Sequence, residues 1–178
     1  KGDVWATASQ DYDSLLYGTP RLVRYVTLTG FEYLPSKRMV KKLVPELIEL
    51  EVLLEHLSLT REQLIDVAIL VGTDYNEGVK GIGPKKALKL IKKYKKIENL
   101  PYKILSEVCS NYDEIRKIFL NPEVTDDYII CLRKPDIDGL IEFLCDERGF
   151  SKRRVKVAID RLNKATSMYR GKQLTLSF

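Results

Sequence analysis

Histidine occurs once in this chain, at His56, and cysteine three times, at Cys109, Cys131 and Cys145. That scarcity removes several function classes. With one histidine, in a stretch of helical spacing, a triad built on that residue is excluded in favour of a surface or packing role. An odd cysteine count without C-x-x-C spacing speaks against a disulfide framework and a zinc site, and for reduced thiols in an intracellular protein. Long apolar runs are missing as well: Val67 to Val71 falls far short of the roughly 20 residues a membrane helix needs. The opening residues carry no signal-peptide pattern. They also lack Met, and Lys1-Gly2-Asp3 passes at once into the apolar stretch Val4 to Ala8, which points to a fragment or processed piece. What remains is 178 residues, 44% apolar and 31% charged, a globular composition suited to one domain. The formal net charge of +5 permits a polyanionic partner, so where that charge sits decides the matter.

Val4 to Ala8 reads as a strand, and Arg21 to Leu28 with Phe31 to Leu34 reads as a hairpin turning at Thr29-Gly30. Pro35 to Lys42 is polar and basic, hence a loop. Apolar spacing predicts a helix over Pro45 to Leu57. Thr60-Arg61-Glu62-Gln63 is a capping box opening a second, largely buried helix that Gly72 stops. Thr73 to Gly83 is a glycine-bearing connector, and Pro84 suits the first turn of a helix running to about Tyr94. Further helices are expected over Glu107 to Leu120, from Asp136 to Cys145, and from Ser151 to about Ala165. Strands first and helices after suit the end of an α/β sheet carrying a helical extension.

The most specific feature is Gly78-Val79-Lys80-Gly81-Ile82-Gly83-Pro84-Lys85-Lys86-Ala87. It matches the helix-hairpin-helix pattern apolar-x-Gly-apolar-Gly-x-x-x-Ala. Gly81 and Gly83 permit positive φ and close approach of a bulky partner. A helix beginning near Pro84 points free N–H groups outward, which suits phosphate. Such a turn grips sugar-phosphate backbone and reads no base. Eight lysines lie between Lys80 and Lys96 with no acidic residue among them. Lys85, Lys89, Lys92 and Lys96 recur along one helical face. A solvated surface helix would mix signs; this one does not.

Asp11 and Asp13 stand two apart just past the first strand. If the extended backbone continued, both side chains would point the same way. The carboxyl end of a strand in an open α/β sheet is where ligands bind. Adjacent carboxylates repel unless a cation lies between them, and Mg²⁺ prefers a few carboxylates with water and phosphate oxygens. Asp74, in Gly72-Thr73-Asp74-Tyr75-Asn76, is a third candidate. Taken singly each of the three also suits a turn or a cap; beside a phosphate-gripping turn the metal reading is the better one.

Together, VWATASQDYDSLLYGTPRLVR, LTREQLIDVAILVGTDYNEGVKGIGPKKAL, FLNPEVTDDY and LIEFLCDERGFSKRRVKVAIDRL resemble the flap endonuclease family, archaeal members above all, in family order over nearly the whole chain. The resemblance implies an α/β fold, the C-terminal part of a mostly parallel sheet flanked by helices (5′-nuclease/PIN-like), with a helix-two-turn-helix DNA element and a helical C-terminal region. It implies that Asp11, Asp13 and Asp74 are metal ligands for two Mg²⁺ ions, with Mn²⁺ able to substitute. It implies DNA contact at Gly78, Lys80, Gly81, Gly83, Lys85, Lys86 and Lys89, and a K⁺ ion held by backbone carbonyls of that turn. The family's other metal-binding acids and its arch precede the position of Lys1, so the chain alone is expected to be inactive or nearly so. Residues 1–170 are expected to form the nuclease part, with the DNA element at 72–94. Residues 171–178 resemble the family's sliding-clamp tail: Gln173 and Leu176 fit it, and Phe178 falls one position early.

The expected reaction is two-metal hydrolysis of a phosphodiester in flapped or otherwise branched duplex DNA, during replication and repair. The main alternative is a non-catalytic DNA-binding module using the same turn. A related repair nuclease with another branched substrate is a second, and a clamp-tethered scaffold a third.

Overall fold

The computed structural model describes residues 2–27, 30–129 and 135–170, with side chains described as far as 164. Contacts divide the chain into two compact units, Lys1–Thr125 and Asp126–Phe178.

In the first unit, β1 (Thr7–Ala8) runs parallel to β2 (Arg21–Arg24), and β2 pairs antiparallel with β5 (Glu46–Glu49). The described sheet is therefore small and mixed, consistent with the C-terminal part of the expected fold. The short helix α1 (Asp13–Leu16) lies between β1 and β2. Leu15, Leu22 and Leu50 are buried together beneath the sheet, with Ile48 packed against them.

Three expectations change here. The first strand is shorter than Val4 to Ala8, because Val4 and Trp5 stand exposed with no pairing partner strand. The expected hairpin over Arg21 to Leu34 does not form: β2 is taken by β1 and β5. Instead β3 (Phe31–Leu34) pairs antiparallel with β4 (Met39–Lys42), across a 3-10 turn at Pro35–Lys37 that Arg38 closes with a left-handed backbone. The stretch read as a loop thus supplies a strand. The helix expected from Pro45 begins only at Leu50, as α2 (Leu50–Leu57). Every residue of Glu46-Leu47-Ile48-Glu49 faces a partner on β2, and that pairing outweighs the segment's helical propensity.

Next comes α3 (Arg61–Val71), opened by the expected capping box: the Thr60 hydroxyl accepts from the Gln63 N–H and the Gln63 side chain accepts from the Thr60 N–H. Gly72 ends it. Helix α4 (Pro84–Tyr94) follows, with Pro84 in its first turn as expected. Ile65, Ile69 and Leu70 of α3 meet Val79 and Ile82 of the connector and Ala87 and Ile91 of α4 in the largest core cluster. Each fully buried aliphatic side chain there contributes about 1.5–3 kcal/mol.

A short helix that was not expected, α5 (Tyr102–Leu105), comes next, and the helix expected over Glu107 to Leu120 begins only at Tyr112, as α6 (Tyr112–Leu120). Fully buried Phe119 carries α6 onto the α3–α4 core. In the second unit, Asp136 caps α7 (Ile137–Ile141) by accepting the Gly139 N–H, and a π-helical turn, Glu142–Glu147, continues it. Helix α8 (Lys152–Arg170) packs Val155 and Ile159 on Cys145. Cys109 and Cys145 are free thiols; Cys131 lies outside the described residues. No helix among the described residues is long and apolar enough to cross a membrane.

Candidate functional site

The turn after β1 brings Asp11 and Asp13 together, though not as an extended strand would. The Ser9 hydroxyl accepts the Asp11 N–H, and Asp11 Oδ1 accepts the Asp13 N–H at 2.9 Å. Asp13 then opens α1. A local side-chain-to-backbone turn, not strand periodicity, sets the pair. Between them Tyr12 is bonded through its hydroxyl to Arg24, whose guanidinium lies 4.0 Å from the Tyr12 ring centroid and 4.7 Å from that of Tyr25. Glu46 on β5 pairs with the same Nη1 of Arg24 at 3.4 Å. The sheet thus fixes the acidic turn through a cation on aromatic faces.

Asp74 arrives from the other direction. It sits in a tight turn after α3, closed by Thr73 N–H to Asn76 and Asn76 N–H back to Thr73. Asn76 Nδ2 donates to the Ile69 carbonyl, tying the turn to α3. Asp74 itself is exposed. Burial, then the negative charges of Asp11 and Asp74, raise the Asp13 carboxyl above the usual aspartate range. All three acids therefore share one electrostatic neighbourhood. Among the described residues, however, no three His, Cys, Asp or Glu side chains stand close enough to hold a metal ion as placed. The donor set still fits a hard divalent cation: carboxylates only, mutually repelling and partly desolvated.

Beside these acids lies an aromatic group that spacing arguments did not single out. Tyr17 and Tyr75 share a hydroxyl–hydroxyl bond of 2.8 Å, and their rings rest against Phe119 with centroids 4.9 and 5.6 Å away. The Tyr75 hydrogen bond, with lesser help from burial and the nearby acids, pushes the Tyr17 phenol up to about 12. Arg61 also escaped notice; it donates to the carbonyls of Leu16 and Phe119. The available signal was positional: Tyr17 follows Asp13 by one helical turn, and Tyr75 is next to Asp74.

A few residues on from Asp74, the glycine turn joins α3 to α4. Gly78 and Gly81 both have φ of +76°, yet for different reasons. A Cβ on Gly78 would lie 2.3 Å from the Val71 carbonyl oxygen, whereas Cβ atoms on Gly81 and Gly83 would meet nothing within 4 Å. Gly78 is required by the protein's own packing; Gly81 and Gly83 face open space. Val79 and Ile82 anchor the turn from inside, leaving Lys80, Lys85, Lys86 and Lys89 exposed. Gly83 is the N-cap of α4 and supplies no side-chain acceptor; Pro84 has no N–H and the Lys86 and Ala87 N–H groups bond the Gly83 carbonyl, so the Lys85 N–H is the first-turn amide left to a ligand. Lys86 Nζ donates to the Gly81 carbonyl at 3.3 Å. The lysine face is not wholly open: Lys96 pairs with Glu62 at 3.7 Å. Gln173, Leu176 and Phe178 lie outside the described residues.

Comparison with known proteins adds the following. A family model described as the XPG I-region matches residues 1–74. Flap endonuclease 1 of Pyrococcus abyssi is 54% identical over 177 residues, covering 99% of this chain and 50% of that protein. Flap endonuclease 1 of Archaeoglobus fulgidus is 56% identical over 162 residues, covering 91% and 48%. A solved structure, flap endonuclease-1 from Methanococcus jannaschii, is 47% identical with a TM-score of 0.71, covering 90% of this chain and 46% of that one. The catalytic core of Rad2 in complex with DNA substrate is alike in fold, with a TM-score of 0.65 at 19% identity. The chain spans about half the length of the curated relatives it matches.

Proposed function

Since this chain belongs to the flap endonuclease family and carries the C-terminal part of its 5′-nuclease fold, we propose that the intact protein is a structure-specific 5′ nuclease. It hydrolyses phosphodiester bonds in flapped or branched duplex DNA during replication and repair, inside the cell. One observation carries the reading. A single rigid helix, α3, leads into both the Asp74 turn and the open glycine turn. Asp74 and the phosphate grip are thus held at a fixed separation.

Each residue has a task in this reading. Gly81 and Gly83 let the duplex backbone approach without obstruction, and the N-terminus of α4 presents the Lys85 N–H to a phosphate. Lys80, Lys85, Lys86 and Lys89 neutralise neighbouring phosphates, so binding depends on backbone shape and not on base sequence. Asp11, Asp13 and Asp74 would hold Mg²⁺, or Mn²⁺ in its place. That ion supplies a hydroxide near neutral pH and neutralises charge at the scissile phosphate. The Gly81 carbonyl, which accepts from Lys86, is where a K⁺ ion would compete with that ammonium. Gln173, Leu176 and Phe178 would engage a sliding clamp.

A non-catalytic DNA-binding module is favoured by one observation, the lack of three converging ligands among the described residues. The two readings part on Asp74→Ala in the intact protein. A nuclease loses at least about a hundredfold in cleavage of a 5′-flap substrate and keeps its affinity for that DNA. Retained cleavage removes Asp74 from the site; no cleavage by the wild type at any Mg²⁺ or Mn²⁺ concentration leaves the binding module.

A further inference from the structure

Asp13 and Asp74 stand 61 positions apart in the sequence, and carboxylates that repel do not choose a separation by themselves. Something neutral must hold the two segments in register. The only described side-chain bond directly between α1 and the Asp74 turn is the one joining Tyr17 and Tyr75, 2.8 Å between hydroxyl oxygens.

Everything around this bond fixes its two ends. Tyr17 closes the helix that Asp13 opens. On one side of it Arg61 Nε donates to the Leu16 carbonyl at 3.0 Å; on the other, Gly18 lies close enough to the same guanidinium that a Cβ there would stand 2.7 Å from Arg61 Cζ. The same Arg61 donates through Nη2 to the Phe119 carbonyl at 2.6 Å, so the ring supporting both tyrosines is held by the residue that holds Tyr17. Tyr75 is fixed by its turn, where its N–H donates to Thr73 Oγ1 and that hydroxyl bonds Asn76 Oδ1. The tyrosine rings are 38% and 44% exposed, so water could satisfy either hydroxyl. Their pairing is a positional device more than a remedy for burial.

We propose that the Tyr17–Tyr75 hydroxyl bridge, seated on Phe119, is a positioning clamp that sets the distance between Asp13 and Asp74 and thereby the divalent-cation affinity of that pair. The tyrosines touch neither DNA nor metal in this scheme; they act through the acids. The inference deepens the nuclease reading and rests on it.

Tyr17→Phe and Tyr75→Phe remove the bond and keep both rings on Phe119, so the fold is retained. Mn²⁺ binding to the intact protein, measured by electron paramagnetic resonance of the free ion, should weaken about tenfold in each variant, the effect of losing an outer-shell partner. The double variant should be no weaker than either single one, because one bond is lost in all three. The metal-free melting temperature and the affinity for duplex DNA in EDTA should not move. Asp74→Asn is the control. If it lowers Mn²⁺ affinity while the phenylalanine variants do not, the clamp is refuted and the nuclease site stands. If Asp74→Asn has no effect, or the wild type binds no Mn²⁺, the metal site and the clamp fall together. A double variant as weak as the product of the two singles, or affinity losses that follow the metal-free melting temperature, would also overturn the clamp.

Discussion

Helix α3 carries one aspartate in its middle and leads to another just past its end, and the two have opposite surroundings. Asp66 is wholly buried, with Arg116 Nε donating to it at 2.8 Å and the Ile97 N–H at 3.2 Å. Arg116 is also bonded to Glu98 and Asp113. Burial raises the Asp66 carboxyl, and the Arg116 hydrogen bond and charge pull against that rise. Asp74 has no ion pair among the described residues and adds to the charge already borne by Asp11 and Asp13. The first acid is bonded to a buried guanidinium and a backbone N–H and ties α3 to α6 and to the chain leaving α4. The second belongs to a group left in need of a cation. Lysines divide the same way: Lys96 is spent on Glu62, whereas Lys80, Lys85 and Lys89 form no ion pair among the described residues. Compensated charge builds the frame, and uncompensated charge marks where something must come from outside.

The contrast is broken most severely at Arg116. Arg116→Met should leave Asp66 buried without a partner and cost about 3–5 kcal/mol in urea unfolding. Adding Asp66→Asn should recover part of that loss; a cost below about 1 kcal/mol would mean Asp66 is not the compensated acid described. The two glycines sharpen the point. Gly78→Ala should destabilise by about 1–3 kcal/mol or more, its Cβ meeting the Val71 carbonyl. Gly81→Ala should cost about 1–2 kcal/mol of backbone strain and should weaken duplex binding, which Gly78→Ala tests only through folding. Lys85→Ala with Lys86→Ala should lower the log–log salt dependence of duplex binding by about two, equally for all sequences, with thermal stability unchanged. An unaltered slope would move the phosphate grip elsewhere.

The smallest effect is expected at Asp13. Its folded pKa is raised by burial and by Asp11 and Asp74, so the acid form is the one favoured by folding. Stability from this source is fully present below the ordinary aspartate value near about 4 and is lost as pH climbs from there through the raised folded value. Asp13→Asn should match the metal-free wild type in acid and exceed it at neutral pH by about a few tenths of a kcal/mol, because solvent screens so exposed a group. Added Mg²⁺ should close the gap, since a ligand that binds only the folded state stabilises it.

Local grammar carried the best-read elements. The capping box at Thr60, the stop at Gly72 and the proline start at Pro84 are written in residues a few positions apart, and α3 and α4 follow them closely. The sheet was harder, because β2 chooses β5 across more than twenty residues instead of its neighbour β3, and no short window contains that choice. The acidic positions were legible as a repelling pair, but the reason offered, strand alternation, was not the cause: Asp11 folds its own side chain onto the Asp13 N–H. Tyr17, Tyr75 and Arg61 were invisible to periodicity because they work through long-range contacts whose partners lie 45–58 positions away.

The Gln63 side chain that completes the capping box also donates through Nε2 to the Lys95 carbonyl, just past the last residue of α4. The start of one helix is thus stapled to the finish of the next. Inserting or deleting a residue within α3 would turn everything beyond it by about 100° and shift it by about 1.5 Å. Such a change would tear that staple, swing Asp74 off its bearing and throw the glycine turn out of step in a single stroke. This stretch should therefore admit substitutions freely at its wet positions while refusing any change in its length.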